Sequence, residues 1–154
     1  MIKVHIKVQE EAFDTGELTD HLAASSPKVG GVCTFVGVVR DLNEGDNVTG
    51  LFLEHYPGMT EKQISGIITE AAERWDLYAA TVVHRIGQLH PTDQIVFVGA
   101  AGAHRGESFD ACEFIMDYLK TRATFWKKET TEEGDRWLTT RASDVTSAES
   151  WKQS

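Results

Sequence analysis

Ile2, Val4, Ile6 and Val8 alternate strictly with polar residues in "IKVHIKV", and a period of two commits that segment to a half-buried strand. Later the period changes. Ile64, Ile67, Ile68, Ala71, Ala72 and Trp75 recur at spacings of three and four, the stripe of a helix with one buried face. A chain that switches period in this way mixes strands and helices.

The remaining segments follow the same reading. "DTGELTDHLAAS" predicts a short helix with an Asp or Thr cap. "GVCTFVGVV", Gly31 to Val39, is β-branched and reads as a buried strand, followed by the polar loop "RDLNEGDN". "VTGLFLEHY" is the next strand. Thr60 with Gln63 three residues on has the spacing of a capping box and predicts a helix start at Thr60. "AATVVHRIGQL" and "QIVFVGAAG" are strands around an "HPTD" turn. A second long helix is expected from about Glu107 to Arg122, burying Phe109, Cys112, Ile115, Met116 and Leu119. "FWKKETT" is a strand, "EEGD" a turn, and "RWLTTRASD" closes the ordered part. The Ser-rich tail after about Asp144 is expected to fray. Several connections are too short for crossovers, so the fold class is α+β with a largely antiparallel sheet. At 154 residues one domain is expected.

Composition narrows the function. No apolar run reaches the roughly 20 residues of a transmembrane helix. The alternating N-terminus is not that of a signal peptide, and the cytoplasm is the expected compartment. A formal net charge of −9 argues against a general nucleic-acid surface. The six histidines form no HxxxH or HxH pair, and no zinc spacing or phosphate-binding glycine loop is present. No metal and no cofactor is expected. Cys33 and Cys112 are far apart in sequence, belong to no CxxC pair and sit in apolar surroundings, as buried free thiols do.

Against that acidic background "KTRATFWKKE" gathers Lys120, Arg122, Lys127 and Lys128 around Phe125 and Trp126. Either this is a solvated basic surface or it holds an anion. Lys120 and Arg122 also complement a helix C-terminus. Lys127 and Lys128 are strand neighbours and point to opposite faces, so at most one of them shares a pocket with Lys120. In "GAHRGES", His104 and Arg105 precede a helix whose first amides are unpaired, which suits phosphate or merely finishes a loop. Arg40 ends a strand beside the polar loop, a frequent but not obligatory place for a site residue.

Read as an ordered set, "FVGVVRDLNEGDNV", "LEHYPGMTEKQI", "VVHRIGQLHPTDQIVFVG", "AHRGESFDACEFIMDYLKTRATFWKKE" and "GDRWL" resemble the large, catalytic subunit of molybdopterin synthase from about Val32 to Ser143. Gly102 and Thr124 depart from the family's usual Ser and Pro. The resemblance implies an α/β-hammerhead fold with a mixed sheet and a homodimer within a heterotetramer. It also implies a small ubiquitin-like sulfur-carrier subunit with a C-terminal Gly-Gly thiocarboxylate as partner, and cyclic pyranopterin monophosphate as substrate. On the same ground Lys120 and Lys127 are the expected catalytic lysines. Val38, Val39, Arg40, His104, Arg105, Lys128, Glu129 and Arg141 join them as expected substrate-binding positions, with Phe35 and Met116 as pocket walls. A docking scaffold without chemistry and a sensor of phosphate ligands remain the rival readings.

Overall fold

The computed structural model describes residues 2–43, 45–138 and 142–153. Along the chain run β1 (Lys3–Gln9), α1 (Thr15–Ala23), β2 (Gly31–Val38), β3 (Leu42–Asn43), β4 (Asp46–His55) and α2 (Met59–Arg74). Then follow β5 (Leu77–Arg85), β6 (Gly87–Leu89), β7 (Gln94–Gly102), α3 (Arg105–Arg122), β8 (Phe125–Thr131), β9 (Gly134–Trp137) and α4 (Ala142–Ser150), with a 3-10 turn at Trp151–Gln153. The α+β expectation is met, and the strands divide into two sheets.

The first sheet has the order β1-β5-β7-β2. β1 runs parallel to β5, whereas β5–β7 and β7–β2 are antiparallel. β5 and β7 are central and covered on both faces, which is why they read as near-continuous apolar runs. α1 covers one face through Leu22, which packs with Phe97, Val83 and Ala101. Its approach requires Gly99: a Cβ there would lie 2.3 Å from Leu22 Cδ1. α2 and α3 cover the other face with Ile64, Ile67, Ile68, Ala111 and Ile115. β1 is an edge strand, so its apolar face is only partly covered and Val4 remains 49% exposed.

The second sheet has the order β3-β4-β8-β9, with β6 also paired to β4. Leu51, Leu53 and Leu89 turn inward from it to the same core as α2 and α3. One apolar cluster therefore joins the two sheets.

Three local expectations are corrected. α2 begins at Met59 after Gly58 (φ 84°), and Glu61 Oε1 accepts from the Gly58 N–H at 3.2 Å. Thr60 and Gln63 are thereby free for tertiary bonds. Phe109 is 57% exposed rather than buried. The buried arc of α3 runs through Ser108, Ala111, Cys112, Ile115 and Leu119, and Phe109 falls just outside it. Finally, the Ser-rich segment expected to fray carries α4. Ala148 is buried, and Trp151 packs edge-on to Trp75 and Phe114 while its Nε1 donates to Asp117 at 2.7 Å. One partly buried indole with a paired N–H, beside the buried Ala148, docks a segment whose composition is otherwise polar.

Candidate active site

α3 lies along β2. Ser108 Oγ donates to the Gly31 carbonyl at 2.8 Å near the helix start, and Met116 stands with Phe35 farther along. Beyond them the helix ends, the chain reverses through Ala123 and Thr124, and β8 returns along β4. The space between the end of β2, the last turn of α3 and the inner face of β8 is a cavity of about 580 Å3.

Among the described residues its cations are Arg40 from the end of β2, Lys120 from the last turn of α3 and Lys127 from β8. Its apolar wall includes Phe35, Val38, Val39, Met116 and Phe125. The end of β2 is held in place by paired backbone bonds, Val39 N–H to Asp93 O and Thr92 N–H to Val39 O, each 2.9 Å. A cavity that sets these cations on an apolar wall, in a chain of net charge −9, is built for an anion with an apolar body.

Glu129 also lines the cavity, but its carboxylate is engaged. It is buried and accepts from Asn43 Nδ2 at 3.0 and 3.1 Å and from Arg136 Nε at 3.1 Å. This ties the loop after Arg40 to β8 and β9, and leaves the site's positive charge uncancelled by Glu129.

Not every expected residue reaches this cavity. Lys128 faces the opposite side of β8, because successive strand residues alternate. There its Nζ lies over the rings of Phe52 (5.6 Å) and Trp137 (5.5 Å) and 4.0 Å from Asp135. His104 and Arg105 stand at the other end of α3. The fifteen residues from Arg105 to Lys120 span roughly 22 Å at the helical rise. Within one chain the two basic clusters are therefore separate. Arg141 lies outside the described residues.

His84 was not singled out by sequence reasoning. It is buried on β5, borders the cavity and stacks on Phe125 with ring centroids 3.9 Å apart. Burial lowers its pKa from 6.5 to about 3, against the hydrogen bond to the Arg85 carbonyl, and nearby Lys127, Lys120 and His55 push the same way as burial. The available signal was a histidine inside an otherwise apolar strand, "TVVHR". The two cysteines, distant in sequence, are neighbours where α3 crosses β2, and both are free thiols. Burial, reinforced by Cys33, pushes the Cys112 thiol far up, so it stays protonated. Among the described residues no group of three His, Cys, Asp or Glu side chains converges to hold a metal.

The family model described as MoaE protein matches residues 8–122. The chain belongs to the MoaE protein family. Among curated relatives, the molybdopterin synthase catalytic subunit of Pseudomonas aeruginosa is 55% identical over 148 residues, 96% of this chain and 99% of the relative. That of Escherichia coli is 53% identical over 151 residues, covering 98% of this chain and all of the relative. A solved structure described as molybdopterin biosynthesis MoaE protein from Burkholderia ambifaria superposes with a TM-score of 0.83 at 47% identity, covering 97% and 98% of the two chains. This MoaE family member is a sulfur-transferring enzyme of molybdenum-cofactor biosynthesis, a catalytic subunit of molybdopterin synthase. Among the described residues no helix is long and apolar enough to cross a membrane.

Proposed function

We infer that the cavity between β2, α3 and β8 is where sulfur passes from the C-terminal Gly-Gly thiocarboxylate of a small ubiquitin-like carrier subunit to cyclic pyranopterin monophosphate. Two such transfers make the dithiolene of molybdopterin. The observation that carries this reading is the meeting of Arg40, Lys120 and Lys127 in one cavity. Both reactants are anionic there, and an acidic protein would repel them without a local concentration of cations.

Lys120, in the last turn of the helix, contacts the terminal carbonyl of the carrier. Its ammonium stabilises the charge that develops when the thiocarboxylate is attacked or released, and it transfers the proton. Lys127 and Arg40 hold the phosphate and pterin by charge-assisted hydrogen bonds. Phe35, Val38, Val39 and Met116 supply the apolar wall. His104 and Arg105 are too far along α3 to join from the same chain, so they join from a second copy across a homodimer. The half-exposed Phe35 and Val38 on the free edge of β2 support such a contact. Sulfur comes from the carrier, so Cys33 and Cys112 are not required. The proposed compartment is the cytoplasm, which their free thiols fit.

Thiocarboxylated carrier and substrate, mixed with the protein and assayed for the dithiolene product, test the reading. Lys120→Ala is expected to lose most product while keeping fold and carrier binding. Lys120→Arg does not restore it, because a guanidinium stays protonated at working pH. Near-normal turnover by Lys120→Ala would remove Lys120 from the chemistry.

A further inference from the structure

The two cysteines have no task in the reading above, yet the fold sets them side by side. Cys33 stands on β2 directly opposite Ala100 of β7, so the two side chains share a face of the sheet. Ala100 belongs to the core under α2 and α3, which places Cys33 on the side of α3. Cys112 reaches the same spot from the helix. Its Sγ donates to the Val98 carbonyl at 3.6 Å, and its thiol is within hydrogen-bond reach of Cys33. The two differ in access: Cys33 is partly exposed, whereas Cys112 is 3% exposed.

The pair also stands one step behind the cavity wall on both elements. Phe35 follows Cys33 by two residues on the same face of β2, and Met116 follows Cys112 by four on the same face of α3. Phe35 and Met116 both line the cavity.

We propose that Cys33 and Cys112 are a reversible oxidation site, at which a hydroperoxide converts the two thiols to a disulfide that ties α3 to β2 and slows sulfur transfer. The effect on the rate rests on reading this cavity as the sulfur-transfer site, whereas the disulfide itself does not. Cys33, its proton given to solvent, attacks one peroxide oxygen. The O–O bond breaks, Cys33 becomes a sulfenic acid, and the departing hydroxide takes a proton and leaves as water. The Cys112 sulfur then attacks the Cys33 sulfur. The S–O bond breaks, and the Cys112 proton leaves with the hydroxide as a second water. In total two electrons pass from the thiols to the peroxide. Burial divides the roles. The partly exposed thiol meets the oxidant, and the thiol beneath it, held protonated by burial, meets only Cys33. An S–S bond is shorter than a contact between two thiols, so closing it draws the helix toward the strand and moves Met116 against Phe35. In a reducing compartment the pair rests as free thiols.

The test uses the full-length protein, reduced, treated with hydrogen peroxide and freed of peroxide before assay with thiocarboxylated carrier and pterin substrate. Peptide mapping without reductant is expected to show Cys33 joined to Cys112 within one chain. The kcat is expected to fall roughly ten- to a hundred-fold, the scale of a misplacement of about 1 Å near reacting groups, and to return with dithiothreitol. Cys112→Ala is expected to stop at the sulfenic acid, trapped on Cys33 by dimedone. Cys33→Ala should leave Cys112 unoxidised and keep its untreated rate through the peroxide step.

An absent disulfide, a disulfide formed only between copies, or oxidation of Cys112 in Cys33→Ala overturns the proposal. So does a disulfide that leaves kcat unchanged, or a loss of rate that Cys33→Ala shares, which places the damage elsewhere. Lys120→Ala is the reference for the site: full activity there overturns the reading of the cavity. Loss in Lys120→Ala beside a full rate in the cross-linked protein overturns only the role of the thiol pair.

Discussion

Thr60 Oγ1, fully buried at the start of α2, donates to the backbone carbonyl of Thr124 at 2.8 Å. The same hydroxyl accepts from the Tyr56 N–H at 3.0 Å, and Gln63 Oε1 accepts from the Thr124 N–H at 2.8 Å. Both backbone groups of Thr124 are thus held by side chains of α2. Thr124 is the hinge of the reversal between Lys120 and Lys127, so these bonds set where the two lysines meet.

Thr60→Val keeps the shape and removes the hydroxyl. It leaves the part-buried Thr124 carbonyl and Tyr56 N–H without that partner, at a cost of about 1 kcal/mol. Urea unfolding should show that loss. Thr60→Ser, which retains the hydroxyl, should lose less. Product formation should fall in Thr60→Val even under conditions where the protein is folded, because the reversal is no longer pinned.

Lys127 and Lys128 are adjacent and chemically identical, yet they should behave differently. Lys128→Ala is expected to keep nearly full turnover, with a stability change of about 0.5–1 kcal/mol from the lost contacts with Phe52 and Trp137. Lys127→Ala should lose most product. Steady-state rates for the pair decide it, and equal losses would mean that Lys128 turns to the site in the assembled enzyme.

The Glu129–Arg136 pair makes an asymmetric prediction. Arg136→Ala strands a carboxylate that is 6% exposed, whereas Glu129→Gln keeps the shape and the hydrogen bond from Asn43. Arg136→Ala should therefore be the more destabilising, by about 1–3 kcal/mol. Thermal melts of the two variants measure the difference.

The buried imidazole of His84 gives the stability a pH dependence. Its pKa is lowered from 6.5 to about 3 in the fold, chiefly by burial. Between those values the unfolded chain binds a proton that the folded chain refuses. Stability from this group is complete above about pH 6.5 and is lost as pH falls toward about 3, with a slope of up to about 1.4 kcal/mol per pH unit. Urea midpoints measured at pH 7 and 4.5 should fall more steeply for the unmodified protein than for His84→Gln, which cannot titrate.

The sequence by itself determined the elements and the chemical inventory. Period two in "IKVHIKV", β-branched runs such as "GVCTFVGVV" and the stripe from Ile64 to Trp75 are local patterns, and each appears as the element it predicts, except that β2, expected to be buried, is a half-exposed edge strand because nothing pairs beyond it among the described residues. The anomaly of lysines clustered in an acidic chain was visible too, as was the rule that only one of Lys127 and Lys128 can share a face with Lys120. Which one does was decided by β8 pairing with β4, since the inward face of a strand is set by what covers it. Division into two sheets, the use of Thr60 and Gln63 to hold Thr124 rather than to cap a helix, and the docking of Trp151 are likewise non-local. So is the position of His84. Its strand pattern says only that it is buried, whereas its place beside Phe125, Lys120 and Lys127 depends on β5, α3 and β8 packing around one cavity. Periodicity reports the environment of a residue along its own element. Which distant residues share that environment is determined only when the chain closes on itself.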